Sequence, residues 1–359
     1  ATQERTVNKS VSVSESGEYE VEFINTNTGE EINRNVTVLN EKATISSLPG
    51  SADPVSIGQI LPVEISSTYN TSLVRLDDLS TNTTAATIKL ATPNKGRTTL
   101  RFNTYAAANG SLNESVAVTG AGSSIESVTA PGQNATLQPG TYEIEVRSEQ
   151  GLAATSDNRT VTLTRRSTNG LTTYAGTEAD RAGLGSAAAV RDAIESGALS
   201  RSERVTANDT VVYAVNASGL TGLPAARNAT PETGADLDRL DGIEFGVRPS
   251  AGEDEVTANG ANGEIPRDST AHVDETGLYV VADGTDALPS DGKAEPGAEF
   301  TAAFRVTDDR LREASSDAPG GHRVTSTVTF VDPERNGPSG GADRIASGGP
   351  VGAARRPVP

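Results

Sequence analysis

The stretch Gly140-Thr141-Tyr142-Glu143-Ile144-Glu145-Val146-Arg147 constrains this chain more than any other. Tyr142, Ile144 and Val146 alternate with polar residues, which is the period-2 pattern of a strand with one buried and one wet face. A loop and a second alternating stretch, Asn158 to Thr164, follow it. A near copy stands at Gly17-Glu18-Tyr19-Glu20-Val21-Glu22-Phe23 with Asn35-Val36-Thr37-Val38-Leu39. Looser copies lie at Gly277-Leu278-Tyr279-Val280-Val281 and in Phe300 to Val306 with Val324 to Val331. The pattern predicts an all-β protein of tandem immunoglobulin-like β-sandwich modules, the last with a short helical insertion. A Gly-x-Tyr opening a late strand also predicts a tyrosine corner, in which the hydroxyl bonds back to upstream backbone.

Four segments follow. Residues 1–45 hold three strands, roughly Thr6 to Val13, Tyr19 to Ile24 and Asn35 to Leu39. Three strands cannot close a sandwich, so this piece is an incomplete module that completes itself on a neighbour. The neighbour is either the next module or, by strand exchange or β-augmentation, another copy of the chain. Residues 46–166 read as a fuller sandwich, with turn signals at Asn109-Gly110, Pro131-Gly132 and Pro139-Gly140. Arg165-Arg166-Ser167-Thr168-Asn169-Gly170 reads as a polar boundary. Residues 167–334 read as a β-rich module containing one helix, capped by Ser186 and stopped at Gly197. Residues 335–359 form a Gly/Pro-rich tail.

The chain of 359 residues has 48 acidic against 30 basic residues, a formal net charge of -18. Only Lys9, Lys42, Lys89, Lys95 and Lys293 are lysines. Such a composition is expected of a protein living in high salt, where screening shortens the Debye length to about 3 Å at 1 M. It argues against nucleic acid as a partner, since phosphates demand a basic patch. With no Cys there is no disulfide, thiolate metal site or Cys nucleophile. No apolar run is long enough to cross a membrane as a helix.

Asn-x-Ser/Thr sequons stand at Asn8, Asn35, Asn70, Asn82, Asn109, Asn113, Asn134, Asn158, Asn208, Asn216 and Asn228. All fall before residue 230, which predicts a glycan-bearing N-terminal two thirds and export from the cell.

Several stretches carry a family resemblance. They are Thr172-Thr173-Tyr174, the helix ending Asp192-Ala193-Ile194-Glu195-Ser196-Gly197-Ala198-Leu199, the segment Asp209 to Gly222, and Phe300 to Leu311. Together they resemble modules of haloarchaeal secreted cell-surface glycoproteins of the S-layer kind. The resemblance implies an extracellular cell-surface glycoprotein; the incomplete N-terminal module, the repeats and the lack of catalytic residues point to a non-enzymatic structural role in which it assembles with copies of itself into an array or filament. The alternative is a monomeric adhesin or carbohydrate-binding surface module, which would need an aromatic-lined concavity.

Hidden chemistry is sparse. His272 and His322 are the only histidines, and neither is flanked by a nucleophile elbow. His322 follows two glycines, which suggests a turn-exposed ring. Asp236, Asp238 and Asp241 resemble a calcium loop with the third Asp one place late, and are candidate ligands for Ca2+ or Mg2+. Glu253-Asp254-Glu255 and Asp308-Asp309 are further acidic clusters that suit a solvated face. No phosphate-binding loop occurs.

Overall fold

Alternation along each stretch becomes two sandwiches and a separate hairpin. The computed structural model describes residues 13, 15–49, 54–92, 96–107, 115–129, 137–149, 156–250, 263–289, 294–317 and 321–332. The expected strand Thr6 to Val13 and the tail 335–359 lie outside these, apart from Val13 itself.

In the first sandwich Tyr142, Ile144 and Val146 of the strand Gly140–Ser148 are buried, while the polar residues between them face outward. That strand lies between Thr71–Asp78 and Asp157–Thr164, antiparallel to both. The sheet continues through Thr83–Ala91 to Ser124–Thr129 on one side. On the other side the two-residue strand Val55–Ser56 runs parallel to Asp157–Thr164. The facing sheet has the order Ala43–Ser47, Ile60–Ser67, Gly96–Asn103, Val116–Thr119. Ile45, Leu61, Val63, Ile65, Leu100 and Phe102 fill the space between the sheets. Ala43 and Ile45 are core residues of this sandwich, so the expected boundary at residue 45 falls inside a strand and the module begins at Ala43.

The second sandwich has the immunoglobulin arrangement. One sheet has the order Ser200–Arg201, Thr168–Gly176, Thr210–Ala217, Gly277–Asp283, Thr270–Asp274; the other runs Arg204–Val205, Arg323–Phe330, Glu299–Val306, Ile243–Pro249. Taking the longer strands in chain order as A to G, these are A-B-E-D against G-F-C. Val211, Tyr213, Val215, Phe245, Leu278, Val280, Phe300 and Phe304 form its core. The helix Ala187–Glu195 is the expected insertion, with Ser186 Oγ accepting from the Ala189 N–H at 3.2 Å. It packs on the outer face of the A-B-E-D sheet, where Val190 meets Val212, Tyr279 and Val281.

The stretch read as a polar boundary is a buried joint. Arg166 is 0% exposed. Its Nε donates to the Ser218 carbonyl at 3.3 Å, and Nη1 lies 3.7 Å from Asp317. Burial pushes its guanidinium below the usual arginine range, opposed by Asp317. Around it the two sandwiches touch backbone to backbone. The Gly222 N–H donates to the Gly58 carbonyl at 2.7 Å, and Asn103 Nδ2 donates to the Gly222 carbonyl at 2.8 Å. Each sandwich also lends a residue to its neighbour. Tyr105 packs with the second core and donates to Asp308 at 2.8 Å, while Ala314 packs against the first core. No helix among the described residues is long and apolar enough to cross a membrane.

Candidate functional site: the N-terminal hairpin

Gly17–Ile24 pairs antiparallel with Glu31–Val38, closed by a turn in which the Gly29 N–H donates to the Asn25 carbonyl at 2.7 Å. Gly29 adopts φ 71°, the left-handed conformation that glycine tolerates best. Directly opposed residues share a face. Tyr19 opposes Val36, Val21 opposes Arg34, and Phe23 opposes Ile32. That face is apolar except for Arg34. The other carries Glu18, Glu20, Glu22 and Glu31 with Asn33, Asn35 and Thr37, and Ile24 at its end.

The hairpin repeats the closing pair of the first sandwich in register. Gly17 opposes Val38 as Gly140 opposes Leu163, and Tyr19 opposes Val36 as Tyr142 opposes Val161. Arg34 stands opposite Val21 as Arg159 stands opposite Ile144. The tyrosine corner is repeated too: Tyr19 donates to the Glu15 carbonyl at 2.7 Å, and Tyr142 to the Gln138 carbonyl at 2.9 Å. The third Gly-x-Tyr differs. Tyr279 opens an E strand, not an F strand, and its hydroxyl bonds the Thr276 hydroxyl at 2.8 Å.

The two hairpins differ in what surrounds them. Tyr142, Ile144 and Val146 face a second sheet, and their strand has a neighbour on each edge. Among the described residues the N-terminal hairpin is a sheet of two strands only. On the apolar face Phe23 is 57% exposed and Ile32 53%, and Val36 is exposed as well. Among the described residues it therefore presents an apolar face and unpaired outer edges, one of them along Gly17–Ile24, features that invite a partner strand.

The described sequons, at Asn35, Asn70, Asn82, Asn158, Asn208, Asn216 and Asn228, are all exposed. Asn35 sits on the acidic face of the hairpin, opposite Glu20, away from Phe23 and Ile32. Asn82 and Asn228 occupy left-handed backbone at φ 56° and 50°. Asn8, Asn109, Asn113 and Asn134 lie outside the described residues, as does Glu253-Asp254-Glu255.

The expected calcium loop does not assemble. Asp236 is spent on a cap: its carboxylate accepts from the Thr233 N–H at 2.9 Å and the Thr233 hydroxyl at 2.8 Å. Those bonds hold it below the usual carboxylate range. Asp236, Asp238 and Asp241 do not converge, and no group of three or more His, Cys, Asp or Glu able to hold a metal stands among the described residues. Asp308 caps the helix Asp309–Glu313. His322 is not turn-exposed; its side chain is tucked in, with Nδ1 3.5 Å from Asp317. His272 contacts the Leu184 carbonyl at 2.9 Å, and burial holds its ring below the usual histidine range, opposed by that bond. The two histidines thus serve separate contacts.

No family model matches the chain. No curated protein matches it either. Among solved structures it is similar to the mouse nectin-like molecule 4 full ectodomain (Ig1–Ig3), with 10% identity and TM-score 0.18 over 82% of this chain and 65% of that one. It is also similar to the N-terminal eight Ig domains of Down Syndrome Cell Adhesion Molecule, with 9% identity and TM-score 0.18 over 90% of this chain and 28% of that one. The chain thus spans less than two thirds of either. Likeness at that level carries no argument, and the immunoglobulin-like description rests on strand order, the parallel edge strands and the tyrosine corner.

Proposed function

We propose that this chain is a non-enzymatic structural glycoprotein, secreted to the surface of a halophilic archaeon, that assembles with copies of itself into an extracellular array or filament. The observation that carries the reading is the amphipathic hairpin 17–38, whose sequence and register match a completed sandwich but whose apolar face and free edge are uncovered among the described residues. A second copy supplies the missing strand by β-augmentation of the Gly17–Ile24 edge. The joint where Gly58 and Asn103 meet Gly222 supports the same reading, because fixed orientation between modules suits a lattice. Acidic, lysine-poor composition supports a salt-rich setting, and seven exposed sequons support glycosylation outside the cell.

Negative-stain images of the purified protein in molar and in low salt test this. Ordered sheets or filaments in molar salt are the expected result. Monodisperse particles at every salt and protein concentration would overturn it and favour the adhesin reading.

A further inference from the structure

We infer that Asn216 is a built glycan seat, and that the first sugars of its glycan lie in the trough beside the helix Ala187–Glu195; this rests on the glycoprotein reading above. Asn216 is on the outer face of the A-B-E-D sheet, in the row of Val212 and Ala214, just beyond the patch that the helix covers. Its cross-strand neighbours are Gly170 on one side and Gly277 on the other. Two glycines opposite one strand residue are costly in a sheet interior, where a side chain would normally pack. Gly170 clears space on one side of the asparagine; Gly277 has φ 152°, and a Cβ there would stand 1.8 Å from the Val215 carbonyl oxygen, so close backbone approach requires that glycine. A Cβ added at Gly170 meets nothing within 4 Å.

The asparagine is also oriented. Asn169 Nδ2 donates to Asn216 Oδ1 at 3.0 Å. That bond holds the carbonyl end of the amide and leaves Nδ2, the atom a glycan takes, for the substituent. Beside it opens a trough of about 500 Å³ whose lining includes Tyr174, Tyr279, Arg191, Glu195 and Thr276. Tyr174, half-buried, offers ring surface to the C–H face of a sugar. Arg191, Glu195 and the threonine offer donors and acceptors for its hydroxyls. Arg191 is fixed by an ion pair with Asp274 and donates to the Thr276 hydroxyl at 3.2 Å, so the lining is preorganised. None of the other described sequons has a glycine on both sides in its sheet. Attachment joins Nδ2 to the anomeric carbon of a sugar activated as a phosphate ester; the phosphorylated carrier leaves with the C–O electron pair, and the amide proton passes to base.

The test uses full-length protein secreted by a glycosylating halophilic host, read by glycopeptide mass spectrometry and by hydrogen exchange of residues 187–195. The expected result is a modified Asn216, with exchange in the helix rising about tenfold in Asn216→Gln. Gly170→Val places a branched side chain directly opposite Asn216, at a position where an added Cβ meets nothing within 4 Å. It should leave Asn216 modified yet raise helix exchange to the same degree. An unmodified Asn216 beside other modified sequons would overturn the inference while sparing the glycoprotein reading. Absence of glycan at every sequon would overturn both. A modified Asn216 whose loss leaves helix exchange unchanged would also overturn the seat.

Discussion

The Tyr142 hydroxyl donates to the Gln138 carbonyl at 2.9 Å and accepts the Gln138 N–H at 3.0 Å, so one side chain closes a backbone corner in both directions. Tyr142 is buried, and burial pushes its phenol above the usual tyrosine range, opposed by the bond from Gln138. Replacing it by Phe keeps the packing and removes the corner. Tyr142→Phe should lower unfolding free energy by about 1 kcal/mol. Tyr19→Phe removes the equivalent bond from a hairpin outside either core, so it should leave the global denaturant midpoint unchanged. Urea melts followed by circular dichroism compare the two.

Arg166, at the link between the sandwiches, is held by Ser218 and Asp317, both of the second sandwich. Truncating it leaves the Asp317 carboxylate, which is 9% exposed, without its buried cation. Arg166→Ala should cost about 3–5 kcal/mol. Calorimetry would read that loss as a lower melting temperature. Arg166→Lys should rescue little, because an ammonium cannot reproduce the guanidinium fork.

The joint leaves no room for a side chain at Gly222. A Cβ there would stand 2.4 Å from Asn103 Oδ1 and 2.6 Å from the Gly58 carbonyl. Gly222→Ala should therefore lower the melting temperature by several degrees, since overpacking costs about 1–3 kcal/mol. Gly170→Ala, placed in open space, should not, and differential scanning of the two variants checks the contrast.

His272 sets a pH dependence. Its folded pKa is depressed by burial, against the Leu184 bond, so the unfolded chain binds the proton first as pH falls. Stability is full above the ordinary histidine value of about 6.5 and falls as pH drops below it toward the folded value. Melting temperatures across that window should decline in the wild type. In His272→Gln the decline should be smaller by the histidine's share.

Much of this was legible in the sequence where the signal is local. The alternation around Tyr142 and Tyr19 marks the closing pair of the first sandwich and its copy, and Ser186 with Gly197 brackets the longest helix among the described residues. Signals that depend on distant partners were not. Arg165 to Gly170 reads as a polar turn because nothing nearby reveals that Ser218 and Asp317 will enclose Arg166. Gly277-Leu278-Tyr279 has the spacing of a corner, but Thr276 supplies a side-chain partner and the strand takes the E position. The flanking of Asn216 by Gly170 and Gly277 exists only in the register of three strands. Val55–Ser56 is too short to signal, though it marks the parallel edge of the first sandwich.

The central claim is that the hairpin face assembles copies of the chain. Light scattering of full-length protein in molar salt, across a range of concentrations, tests it against Phe23→Ser/Ile32→Ser, which makes the exposed face polar without touching either core. The account predicts that the wild type grows in mass with concentration while the double variant stays at the mass of one chain. Equal growth in both would contradict it.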